Sequence, residues 1–151
     1  MFAGQIQKLL SRNESTKTYF IGCFPSDCLP RVNNFYPHCM IANIDKKGMD
    51  GSHWIALFVD SPERVEYYDS FGDWPPLSDD LTRFLSAFNT VSFNRTQFQS
   101  DMSSSCGRHA IYFLCKRCKG QTFKEIMQRF VMLKSRPDVV VNAYTRSLMN
   151  I

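Results

Sequence analysis

A thiol, a buried-strand histidine, a strand-end aspartate and a loop glutamine are spaced along this chain so that acyl transfer is a chemistry it could perform. The thiol is Cys106, in the stretch QFQSDMSSSCGRHAIYFLCKRC (residues 97–118). Three serines precede it, and an apolar pattern of helical period follows, with Ala110, Phe113, Leu114 and Cys118 marking an inward stripe. Cys106 therefore falls in the first turn of a helix. There the positive end of the helix dipole stabilises a thiolate and lowers its pKa. Gly107 has no side chain, so a substrate backbone could come close. The competing reading is an ordinary buried cysteine, the commoner fate of this residue.

A nucleophilic thiol wants a base, and the base wants a group that orients it. His53 opens the apolar run HWIALFVD, and Asp69 closes the segment RVEYYD. If the two runs are antiparallel neighbours, the start of one lies beside the end of the other, so His53 and Asp69 meet at one end of a sheet. Otherwise His53 is a satisfied strand-end histidine and Asp69 a turn residue. His109, three residues after Cys106, is the rival base, but no carboxylate in its local sequence would orient it. Its competing readings are a helix-surface residue or an anion contact. A tetrahedral oxyanion needs hydrogen-bond donors. The Cys106 backbone N–H at a helix start is one, and Gln99, seven residues upstream, offers another, with Gln97 as its competitor.

The elements that must position these groups are legible as pattern. Residues 2–10 space Phe2, Ile6, Leu9 and Leu10 as a short helix. CFPSDCLP reads as a proline-punctuated loop, residues 39–45 as a strand, and DKKGMDG as a glycine-rich turn. Residues 53–60 form a continuous apolar run, which suits a central strand buried on both faces. SPER is short enough to make the strand at 64–69 antiparallel to it. A helix over 79–88, a short strand over 90–94 and the Cys106 helix follow. Thr122 and Glu125 then form a capping box for another helix, and Pro137 starts a last one, with Val140, Val141, Tyr144 and Leu148 inward. The expectation is one α+β domain over residues 1–151, a small, mainly antiparallel sheet packed with helices.

The totals agree with a globular protein. The chain has 151 residues and is 44% hydrophobic, with 13 Phe and 6 Tyr, which argues against disorder. No apolar run approaches the roughly 18 residues of a membrane span, and the first twenty residues lack the features of a signal peptide. A soluble, intracellular protein that acts as a monomer is expected. The six cysteines are then reduced thiols. Cys115 and Cys118 form one C-x-x-C with no second pair, and a structural zinc would have to recruit Cys39, His38 or His109, so no metal is expected. His38 is assigned no role. Charge is uneven: residues 1–107 carry nine Lys and Arg against twelve Asp and Glu, whereas residues 108–151 carry nine against two. A basic C-terminal third hints at a polyanion such as nucleic acid; a solvated basic face is the alternative.

The order His, Asp, Gln, Cys resembles the adenain-like cysteine proteases and, more distantly, the SUMO-specific proteases of the same clan. GSHW is similar to the family's Gly-x-His-Trp, YYDSFG to its strand–acid–x-Phe-Gly segment, and QSDMSSSCG to its Gln, six residues, Cys-Gly. YFIGCFPSDCLP is similar to its entry segment, and IANIDKKGMDGSHW to its strand and glycine-rich turn. The likeness covers residues 19 to about 118. It implies a papain-like catalytic arrangement in circularly permuted order. His53 would be the general base, Asp69 its orienting acid, Gln99 and the Cys106 N–H the oxyanion site, and Cys106 the nucleophile. Trp54 would flank the cleft. The resemblance further implies polypeptide substrates with glycine near the scissile bond. Viral members process capsid and core precursors, which would place the protein in a host nucleus or virion. It implies DNA or a short peptide as activators, although no cysteine precedes Gln99 where the adenovirus enzyme tethers its peptide. An isopeptidase acting on a ubiquitin-like modifier is the alternative enzyme. An inactive nucleic-acid-binding module is the alternative of another class.

Overall fold

The computed structural model describes residues 1–45 and 53–150. Most of the DKKGMDG turn, with Gly51 and Ser52 of GSHW, lies outside the described residues. Among these residues, five strands stand in chain order in one sheet: β1 (Phe20–Pro25), β2 (His38–Asn43), β3 (Trp54–Ser61), β4 (Arg64–Tyr68) and β5 (Thr90–Phe93). Five α-helices accompany them: α1 (Ala3–Arg12), α2 (Asp79–Leu85), α3 (Cys106–Cys118), α4 (Phe123–Met132) and α5 (Pro137–Met149).

β3 is the central strand, and its continuous apolar run has the expected cause. Ala56 and Phe58 face a core shared with α1, α3, α4 and α5. Ile55, Leu57 and Val59 face a second core closed by Leu81, Phe84 and Leu85 of α2. With apolar matter on both sides, every position from Ile55 to Val59 is buried. Only Pro62 and Glu63 separate β3 from β4, so the pair must be antiparallel, with Ala56 opposite Tyr68 and Leu57 opposite Tyr67.

The expectation of a mainly antiparallel sheet needs correction. The three central strands are antiparallel, but both edge pairings, β1 with β2 and β4 with β5, are parallel. The chain from β4 to β5 passes through α2, and a connection of that length returns the strand in the same direction. The reading of CFPSDCLP as a loop is also corrected. Its first three residues finish β1, and Ser26–Cys28 form a 3-10 turn. β1 hides because it is a partly buried edge strand that ends in proline. Its register shifts between Phe20 and Cys23, around Gly22 at φ +138°, so it shows no clean alternation.

α3 is buried along most of its length rather than on one stripe. Gly107 and every residue from His109 to Cys115 are buried, with β3 on one side and α5 on another. The capping box of α4 forms: Thr122 Oγ1 accepts from Glu125 N at 3.1 Å and Glu125 Oε1 from Thr122 N at 3.3 Å. Pro137 occupies the first turn of α5, whose Val141 is buried with Val140, Tyr144 and Leu148 packed around it. The basic C-terminal third is not all solvent-facing, because Arg117 forks onto Glu66 at 2.8 and 3.0 Å and lies over the Phe58 ring. Among the described residues, no helix is long and apolar enough to cross a membrane.

Candidate active site

The β3–β4 hairpin brings His53 and Asp69 together. His53 immediately precedes β3 and Asp69 immediately follows β4, and His53 Nε2 lies 2.6 Å from Asp69 Oδ1. Both are buried, Asp69 completely. A carboxylate offers only acceptors, so the ring donates from Nε2 and its Nδ1 is left for another purpose. That Nδ1 has no hydrogen-bond partner of ordinary length in its surroundings. Burial alone would lower the pKa of His53. The Asp69 carboxylate and the Cys106 thiol outweigh it and raise the value to about 9. The Phe71 ring lies beside the imidazole, 4.8 Å between ring centres and tilted by 32°.

Cys106 is the first residue of α3, as its sequence context requires. Burial works to raise its pKa, but His53, the backbone N–H groups of Trp54 and Gly107, and the charge of His53 together bring it below the ordinary thiol value. Thiol and imidazole therefore pull each other toward a thiolate–imidazolium pair. Trp54 borders the thiol through its backbone, while its indole donates to Met1 O at 3.3 Å. Gly107 departs from expectation. A side chain there would meet Ile6 at 3.2 Å, Trp54 at 3.4 Å and Met1 at 3.6 Å. The missing Cβ thus makes room for α1 and Trp54, not for an incoming backbone.

Gln99 is buried at 2% exposure, whereas Gln97 is exposed and tied to Gln99 O and Asp101. The burial separates the two candidates. Ser70 Oγ donates to Gln99 Oε1 at 2.6 Å, and Gln99 Nε2 donates to Ser103 O at 2.9 Å. This fixes the amide orientation and leaves one of its two N–H groups for a further acceptor. As the first helical residue, Cys106 has no carbonyl one turn back to receive its own N–H.

Several supporting residues carried no signal in the sequence. Asn94, just after β5, grips the Asp69 backbone at both ends: its Oδ1 accepts from Asp69 N at 3.0 Å and its Nδ2 donates to Asp69 O. Ser70 also receives Phe98 N and Gln99 N on its carbonyl, at 2.8 and 2.9 Å. Gly72 was visible only as part of a motif. It sits at φ +68°, and a Cβ there would lie 2.6 Å from Arg95 O, so only glycine lets the loop after Asp69 fold back. His109 is corrected most. Far from a helix surface, it is fully buried, with Nε2 2.8 Å from Asp138 Oδ1 and Nδ1 2.9 Å from Tyr68 OH. The carboxylate missing from its local sequence arrives from α5. His38 starts β2, buried, with Nδ1 2.7 Å from Phe35 O, away from this cluster's partners.

No protein-family model matches the chain. It is 30% identical over 132 residues to a protein of Acanthamoeba polyphaga mimivirus named, provisionally, as a thiol protease; the match takes in 72% of this chain and 43% of that protein. Among solved structures it is similar to the crystal structure of a protease from ASFV, with a TM-score of 0.52 and 18% identity over 82% of this chain and 60% of that one. The α+β fold is shared with that protease. It is also shared with the central domain of an uncharacterised Legionella pneumophila protein, at TM-score 0.54 and 14% identity, covering 100% of this chain and 98% of that one. The chain spans less than half the length of the mimivirus protein and about 60% of the ASFV chain.

Proposed function

We propose that this chain is a cysteine endopeptidase, with Cys106 as nucleophile, His53 as general base and Asp69 as its orienting acid. The observation that carries the reading is the His53–Asp69 contact of 2.6 Å with the second ring nitrogen left for a thiol whose pKa is lowered at a helix start. The similarity to a protein named as a thiol protease adds support.

In this mechanism His53 Nδ1 takes the Cys106 proton and the thiolate attacks the peptide carbonyl. The oxyanion accepts from the Cys106 N–H and from the free Nε2 proton of Gln99. Collapse of the intermediate breaks the C–N bond as the imidazolium protonates the leaving amine, leaving a thioester on Cys106. A water molecule, deprotonated by His53, then attacks the thioester and restores the thiol. Asp69 keeps Nε2 protonated throughout, so that Nδ1 is always the nitrogen that exchanges protons with sulfur and substrate. Substrates with glycine near the scissile bond, cleaved from precursor polypeptides of a virus or virus-like element, complete the proposal.

The test is to label the purified protein with a Gly-Gly peptide bearing an electrophilic carbon and to map the modified residue. Adduct on Cys106, lost after heat unfolding and absent in Cys106→Ala, is the expected result. Labelling spread over the other five cysteines at equal rates would sink the assignment.

A further inference from the structure

Among the described residues, the α5 carboxylate of Asp138 accepts from three donors, all on other elements. Oδ2 accepts from Ser100 N at 2.9 Å. Oδ1 accepts from Ser105 Oγ at 2.7 Å and faces His109 Nε2 at 2.8 Å. Ser100 is the residue after Gln99, and Ser105 is the residue before Cys106. One buried carboxylate therefore holds both ends of the loop that joins the two groups assigned to the oxyanion.

The surrounding bonds show that this is a built arrangement. Burial opposes the charge on Asp138, yet the His109, Ser100 and Ser105 donors together hold its carboxyl below the ordinary Asp range, so it is ionised at neutral pH. An ionised carboxylate requires a hydrogen on His109 Nε2. Burial keeps that ring neutral, so its Nδ1 accepts from the Tyr68 hydroxyl. Tyr68 precedes Asp69 in the chain. Ser105 stands where a serine usually caps a helix, but its side chain makes no cap bond to α3 and turns to Asp138 instead. Within the loop, Ser103 Oγ bonds to Ser105 Oγ at 2.6 Å, and Ser103 O receives the Gln99 amide at 2.9 Å.

We propose that Asp138 is a positioning residue that clasps both ends of the Gln99–Cys106 loop and so sets the spacing of the two oxyanion donors. The inference rests on the reading of Cys106 as nucleophile and Gln99 as oxyanion donor. Asp138 touches no reacting atom. It acts on the tetrahedral intermediate through Ser100 and Ser105, and leaves the His53–Cys106 pair alone.

Two reactions of the same thiol separate that role from general structural support. Acylation by acetyl-glycylglycine p-nitrophenyl ester passes through an oxyanion: the thiolate bonds to the carbonyl carbon, and p-nitrophenolate leaves. Alkylation by iodoacetamide displaces iodide and builds no oxyanion. In Asp138→Asn the acylation rate is expected to fall about ten- to a hundredfold, as for a misplacement near 1 Å, while the alkylation rate stays within about twofold of wild type. Ser105→Ala, which removes one strand of the clasp, should give a smaller loss in the same direction and carries the test if the Asp138 variant does not fold. Equal losses in both reactions, or unchanged acylation in both variants, would overturn the proposal. A Cys106→Ala protein that releases p-nitrophenolate as fast as wild type would instead overturn the nucleophile assignment itself.

Discussion

Among the described residues, two histidine–aspartate pairs interact with Cys106 or its helix, and they behave oppositely. His53 on Asp69 and His109 on Asp138 are both buried, with nitrogen–oxygen distances of 2.6 and 2.8 Å. Yet the first imidazole is raised to about 9 and the second is lowered. The difference lies in the other nitrogen. His53 Nδ1 is left without a hydrogen-bonded neighbour and interacts with the Cys106 thiol, so a second negative charge favours its proton. His109 Nδ1 is closed by the Tyr68 hydroxyl, burial dominates, and the charge of His53 opposes a second positive ring nearby. A carboxylate beside an imidazole does not by itself separate the two rings; the second nitrogen of His109 is taken by a hydroxyl, and that of His53 has no hydrogen-bond partner.

The comparison can be broken most sharply by deleting each ring. Cys106→Ala should abolish peptide cleavage. His53→Ala should lower kcat/KM by about 10²–10⁴-fold. His109→Ala should lower activity per folded molecule far less, and should instead destabilise the protein by about 1–3 kcal/mol for each buried partner left unpaired, read from denaturant unfolding. A dead His109 variant beside an active His53 variant would reverse the assignment.

Next in size is the pH response. In the proposed mechanism the reactive pair needs the His53 proton, so kcat/KM should fall as pH rises through about 9. The sign for stability is the same. Because the folded value lies above the ordinary 6.5, the contribution of this group is complete below 6.5 and is lost on passing upward through about 9. In His53→Ala the half-buried thiol loses its main opposing influence, so alkylation at pH 7 should slow; an unchanged rate would mean that backbone donors alone tune Cys106.

Smaller effects probe what holds each pair. Gly72→Ala forces a Cβ against Arg95 O at positive φ, with an expected loss of about 1–3 kcal/mol in stability and a matching fall in Tm. Tyr68→Phe keeps the stack on Phe113, 5.0 Å between ring centres, and removes only the donor to His109. It should cost about 1 kcal/mol and leave the pH profile of kcat/KM untouched. A profile displaced by Tyr68→Phe would show that the two pairs are coupled.

Much of this was readable before any coordinate. Cys106 at the head of α3, the buried β3 run, the capping box at Thr122 and the meeting of His53 with Asp69 all follow from short-range rules. The last does so because a turn of two residues leaves a hairpin one way to close, and strand register then carries the two ends together. β1 escaped because an edge strand broken at Gly22 has no alternation to detect. The true surroundings of His109 escaped because its carboxylate lies 29 residues away in sequence, on a helix whose own pattern advertises only Val140, Val141, Tyr144 and Leu148.

Nearest-neighbour chemistry along the chain is thus enough to nominate a thiol, a base and an acid, since turns, caps and periodicity are set within a few residues. Which histidine has a nitrogen to spare, which glutamine is buried, and which side chains crowd Gly107 were decided by packing between α1, α3, β3 and α5. Those outcomes depend on which distant groups a buried polar atom finds as partners. A local sequence window does not contain that information, because a buried donor or acceptor is paired, or left unpaired as His53 Nδ1 is, by groups that the fold brings from far along the chain.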